Sequence, residues 1–101
     1  MNTDKITRLG GKIIFDEISN LSNLEISLIT DDLKEDLFQA SFPSGQILDI
    51  GWYPELSKNG FFKVLLISNR DWSSPTYSET AKTWKSLEKA LKNALKRMQT
   101  P

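Results

Sequence analysis

The sequence predicts an α+β fold, an antiparallel β-sheet of about four to six strands wound as a meander, with a C-terminal α-helix packed on one face. Two patterns predict it. Between Phe38 and Ser68 three successive runs have strand character and are separated by turn signals, two of them alternating apolar with polar residues at period two. Beyond Thr83 the apolar spacing changes to three and four, which marks an amphipathic helix. The chain of 101 residues has room for one domain, 1–101, with one core.

Gly10-Gly11 at one end and Gln99-Thr100-Pro101 at the other read as frayed ends. Lys12 to Ile18 leans to strand over short helix, because it holds a β-branched pair and an aromatic residue. The polar cluster Ser19 to Asn23 reads as a turn. Leu24, Ile26 and Leu28 alternate with Glu25 and Ser27, the pattern of a half-buried strand. Thr30 to Asp36 follows as an acidic connection that can hold one helical turn capped by Thr30.

Phe38, Ala40 and Phe42 alternate with Gln39 and Ser41 to give the next strand. Pro43-Ser44-Gly45 supplies a three-residue reversal, with Pro43 presetting φ and Gly45 free to take the positive φ that closes it. The return strand, Gln46 to Tyr53, places Leu48, Ile50 and Trp52 on one face and Asp49, Gly51 and Tyr53 on the other, and Pro54 ends it. Asn59-Gly60 marks a second hairpin turn before Phe61 to Ser68, whose apolar residues on both faces fit a central strand. Tyr77 to Ala81 can add a short edge strand. Trp84, Leu87, Leu91, Ala94, Leu95 and Met98 then form the apolar stripe of the last helix, with Lys85, Lys89, Lys92 and Lys96 on its solvated side.

The composition narrows the chemistry. There is no cysteine, which excludes disulfides, thiol catalysis and cysteine-type zinc sites, and no histidine, which removes the usual proton-transfer group and the commonest metal ligand. Asp49 and Lys63 lie on adjoining strands as a candidate cross-strand pair. Without a histidine, a nucleophile elbow or a phosphate-binding glycine loop, however, they do not make a catalytic set. The expectation is a protein that is not an enzyme, needs no cofactor or metal, and acts by binding another protein. The N-terminus lacks the apolar core of a secretory signal, and the longest aliphatic run, Val64 to Ile67, is far short of a membrane span. With no cysteine present, a cytoplasmic location and no membrane partner are expected.

Charge is balanced overall but not along the chain. Residues 1–56 carry ten acids against four bases, and residues 57–101 carry nine bases against three acids. The halves either present opposite poles or neutralise each other across the fold. Asp31, Asp32, Glu35 and Asp36 form the densest acidic cluster, with Asp49 and Glu55 as further candidates. Such carboxylates suit a recognition surface for lysine and arginine, or else a solvated loop. They lack the alternating ligands and sharp-turn glycine of a calcium loop. The helix bases, Lys82, Lys85, Lys89, Lys92, Lys96 and Arg97, read as a solvated face, with no direct nucleic-acid contact expected. Trp52 is expected in the core, whereas Trp72 fits either core or binding anchor.

Leu48-Asp49-Ile50-Gly51-Trp52-Tyr53-Pro54-Glu55, then Asn59-Gly60-Phe61-Phe62-Lys63-Val64, then Asp71-Trp72 and Pro75, carry a resemblance. With the terminal leucine- and alanine-rich helix, these segments resemble a group of small bacterial immunity proteins. Those proteins accompany contact-dependent growth-inhibition and other polymorphic toxins. The likeness covers about residues 46–98, while residues 1–45 are not placed by it. It implies a cytoplasmic inhibitor that binds one cognate toxin C-terminal domain, often a nuclease, and blocks its active site. It also implies that Gly51, Trp52 and Gly60 keep the fold rather than touch toxin. A small structural or adaptor subunit, joined to a larger assembly through a sheet edge, is the alternative, and a carboxylate-based hydrolase is a third reading.

Overall fold

A computed structural model describes Met1 and residues 3–98. Five strands form one antiparallel sheet, β1 (Lys12–Asp16), β2 (Phe38–Ser41), β3 (Ile47–Tyr53), β4 (Phe61–Ile67) and β5 (Tyr77–Ala81), in the spatial order β1-β2-β3-β4-β5. Helices α1 (Asp4–Arg8), α2 (Ile18–Leu21) and α3 (Trp84–Met98) accompany it. No helix among the described residues is long and apolar enough to cross a membrane.

The register shows which face is covered. Phe38, Ile50 and Val64 lie side by side across β2, β3 and β4, as do Ala40, Leu48 and Leu66, and Trp52 pairs with Phe62. Phe38, Ala40, Leu48, Ile50, Trp52, Phe62 and Val64 share one buried cluster with Leu87, Ala90, Leu91, Ala94 and Leu95 of α3. Each large apolar side chain so buried contributes about 1.5–3 kcal/mol. The α3 stripe thus rests on this face, and Lys85, Lys89, Lys92 and Lys96 remain exposed. Thr83 starts the helix through reciprocal bonds with Ser86, Ser86 N–H to Thr83 Oγ1 at 3.0 Å and Thr83 N–H to Ser86 Oγ at 3.1 Å. The β2–β3 reversal is also as expected. Gly45 takes φ 89°, and its N–H donates to the Phe42 carbonyl at 2.9 Å.

Elsewhere the structure corrects the sequence reading. Gly10-Gly11 is not frayed. It follows α1, which buries Ile6, and a side chain at Gly11 would collide with Ile6 and Phe42. The first strand stops at Asp16, and Ile18 opens α2 instead of continuing it. Leu24 to Leu28 is not a strand. Ile26–Leu28 and Thr30–Asp32 are single 3₁₀ turns, because the place beside β2 is taken by β1 and the inward residues, Ile26 and Ile29, are three apart. Leu28 consequently stands 78% exposed. Thr30 lies inside the second turn and makes no side-chain cap; Ile29 flanks it.

Asn59-Gly60 does not form a tight hairpin by itself. A loop from Pro54 to Gly60 joins β3 to β4, with a cis Tyr53–Pro54 bond and the left-handed conformation at Leu56, φ 61°. Gly60 serves another purpose, because a Cβ there would lie 2.3 Å from Trp52 Nε1. That indole is core, as expected, and donates from Nε1 to the Ser57 carbonyl at 2.8 Å. Trp72 is 46% exposed in the β4–β5 loop, outside the core. The expectation for Gln99-Thr100-Pro101 lies outside the described residues.

Candidate functional site

The acidic residues are organised by a strap of backbone that prolongs β2 along β3. Leu37 N–H donates to the Ile50 carbonyl at 3.1 Å, Trp52 N–H to the Lys34 carbonyl at 2.8 Å and Leu56 N–H to the Leu33 carbonyl at 2.8 Å. Residues 33–37 therefore run antiparallel to residues 50–56. Leu33 and Leu37 anchor the strap in the core, while Glu35 and Asp36 bulge outward between them. The bulge rests on Gly51, where a Cβ would lie 1.9 Å from the Glu35 carbonyl oxygen. Gly51 points away from the helix-covered face. Its lack of a side chain lets the strap pass over the open face of the sheet.

On that open face Gln39, Asp49 and Leu65 are cross-strand neighbours, and Gly51 pairs with Lys63 and Tyr53 with Phe61. Asp49 is 5% exposed, and Gln39 Nε2 donates to its Oδ1 at 3.5 Å, a long bond. Burial raises the Asp49 carboxyl from 3.8 to about 6, with the Gln39 bond opposing and the negative field of Asp36 adding. The half-buried Tyr53 phenol is raised by burial first and then by the fields of Asp49, Glu35 and Asp36. Three carboxylates thus converge around Gly51 and Tyr53.

Asp49 does not pair with Lys63. Lys63 stands opposite Gly51, and its Nζ lies 5.6 Å from the centroid of the Tyr53 ring, a cation–π distance. Asp31, Asp32, Glu35, Asp36 and Glu55 are all exposed, and Glu55 is brought to the strap because its neighbour Leu56 bonds Leu33. Among the described residues, none of these six acids has a lysine or arginine within ion-pairing distance. Nor does any group of three or more carboxylates there have the placement to hold a metal ion.

The strap also borders a hollow of about 370 Å³ lined by Glu17, Asp32, Lys34 and Asp36. Exposed Leu28 and Leu56 add apolar surface close in sequence to Asp31 and Glu55. Gln39, Tyr53 and Lys63 belong to this surface without having been singled out as partner-binding residues. The period-two alternation of β2, β3 and β4 is the signal that places them there.

Comparison with protein-family models, with curated proteins and with solved structures finds no match for this chain.

Proposed function

We propose that this chain is an immunity protein that binds the basic surface of a cognate toxin domain and occludes its active site, without turnover of its own. The observation that carries this reading is the unpaired acidity of the strap and open face. Glu35, Asp36 and Glu55 lie along β3, with Asp31 and Asp32 just before the strap, and among the described residues none of the five forms an ion pair with a lysine or arginine. Asp49 is held ionisable in the sheet beneath them. Carboxylates left uncompensated are available to lysine and arginine from outside, and a nuclease that binds phosphates presents such residues at its active site. The resemblance of residues 46–98 to immunity proteins supports this class of partner.

The test uses the toxin domain that a pull-down with this chain from its native strain is expected to capture. Co-expression should protect the host from that toxin, and the purified pair should form a stoichiometric complex in which toxin activity is lost. The variant Asp31→Asn, Asp32→Asn, Glu35→Gln, Asp36→Asn should associate more slowly, with the largest effect at low salt, while dissociation changes less. Absence of protection, or unchanged association rates in a folded variant at both salts, defeats the reading.

A further inference from the structure

We propose that the cleft between the 3₁₀ turns, the β3–β4 loop and the link from β5 to α3 binds a phosphate group. The cleft has a volume of about 370 Å³ and brings together Ser27, Thr30, Lys58, Asn59 and Lys82, residues distant in the sequence. No carboxylate lines it, although Asp31 and Asp32 follow Thr30 directly in the chain. Two lysines therefore border a space that also offers hydroxyl and amide donors, while Glu25 lines the neighbouring hollow that shares Ile26, Ser27 and Lys82. This inference does not rest on the protein-binding role of the acidic strap.

Thr30 shows that the cleft is more than two surface lysines. The residue as a whole is only 7% exposed, and among the described residues its hydroxyl has no hydrogen-bond partner. Among the described residues, no fully buried side-chain oxygen or nitrogen lacks a partner. The Thr30 hydroxyl therefore keeps access to solvent, and Thr30 is among the residues that line the cleft. A hydroxyl with solvent access at such a cleft can donate to a ligand oxygen in place of water.

The donor chemistry selects the ligand. Lysines act as point charges and are common phosphate binders, whereas a planar carboxylate is better matched by the fork of arginine, which the cleft lacks. Trp52 Nε1 is already bonded to the Ser57 carbonyl, so the indole, only 2% exposed, contributes no donor. At about 30 Å³ per water the cleft has space for roughly twelve waters. A phosphate fills part of that space, and half-buried Ile26, with the edge of Trp52, leaves room for the organic part of a phosphate monoester.

Titration with inorganic phosphate and with ribose 5-phosphate, each followed by amide and indole NMR shifts, tests the assignment and separates the free ion from the ester. Ser27, Asn59, Gly60 and the Trp52 indole should shift saturably, with chloride at matched ionic strength producing no such change. Tighter binding of the ester places its organic part along Trp52. The double variant Lys58→Gln, Lys82→Gln should weaken binding by about tenfold or more, the lower range for hydrogen bonds to a charged group. Thr30→Val, nearly isosteric, should weaken binding while the melting temperature reports that the fold is kept. Because the two lysines are exposed, their variant decides the matter even where Thr30→Val disturbs folding. Unchanged affinity in the double lysine variant, or unsaturable shifts centred on Lys85, Lys89 and Lys92 of α3, would overturn the assignment.

Discussion

Replacing Asp49 with asparagine should stabilise the protein at alkaline pH and leave it unchanged in acid. The folded-state carboxyl titrates at about 6 against 3.8 in its unperturbed state, because it is 5% exposed and lies in the field of Asp36. The native state therefore holds the proton more tightly than the unfolded chain. The stability gained is fully present below the unfolded value and is lost as pH rises through about 6. The difference of a little over two units corresponds to about 3 kcal/mol. Asparagine keeps the acceptor for Gln39 Nε2 and never ionises, so the variant should exceed the natural protein by up to about 3 kcal/mol at pH 8.

Urea unfolding of both proteins between pH 4 and pH 8 measures this. The remaining carboxylates are common to both chains, so the difference between the curves isolates position 49. A gap of about 3 kcal/mol appears as a midpoint shift on the order of 1–3 M urea. Equal stability at pH 8, or a difference that does not change with pH, would refute the argument that burial of a charge governs this site. A confirmed gap carries a functional meaning, since a carboxylate retained against stability is suited to meet a cation that a partner brings.

Two further predictions concern the scaffold. Leu91→Ala should cost about 2–5 kcal/mol in denaturant unfolding, because Leu91 is 2% exposed in the α3–sheet interface; a loss well under about 1 kcal/mol would mean that this helix face is not packed as described. Gly51→Ala should lift the strap, since its Cβ would meet a backbone oxygen that cannot rotate away. A cost of about 1–3 kcal/mol and faster hydrogen exchange of the Trp52 amide, which donates to Lys34, are expected, and unaltered exchange would speak against the close approach.

Much of the sheet was legible because period-two patterning and turn chemistry act locally. Leu48, Ile50 and Trp52 announce one face of β3, and Pro43 to Gly45 announce the reversal before it. The helix was legible through its four- and three-residue spacing from Leu87 to Leu95. Leu24, Ile26 and Leu28 misled because so short a run fits alternation as readily as a 3₁₀ turn with Ile26 and Ile29 inward, and only the occupancy of the sheet position by β1 decides between them. Helix α1, from Asp4 to Arg8, is too short to display a period. The acids were visible as residues, but their gathering along β3 depends on three backbone bonds and on the missing side chain of Gly51, neither of which leaves a pattern in the sequence. Asp49 and Lys63 lie on adjoining strands, yet the register puts Gly51 opposite Lys63, and the lysine sits over Tyr53 instead.

The placement of charge across the two layers gives the acidic surface its direction. The lysines of α3 are exposed on the layer that covers one face of the sheet, while Asp49, Glu35 and Asp36 converge on the opposite face, with the apolar cluster between them. At the strap none of the six candidate acids forms an ion pair with a lysine or arginine among the described residues, although Lys34 shares a hollow with Asp32 and Asp36. For a cationic partner the two sides act in the same sense, since carboxylates attract it toward the strap and the helix lysines disfavour approach from behind. Orientation gained before contact raises the rate of productive encounter and fades with salt over a Debye length of about 8–10 Å. Neutralising Lys85, Lys89 and Lys92 should consequently leave the bound complex almost as stable and increase the fraction of unproductive encounters, whereas neutralising the strap slows capture itself. If the chain acts as proposed, the two faces make separable kinetic contributions to its docking.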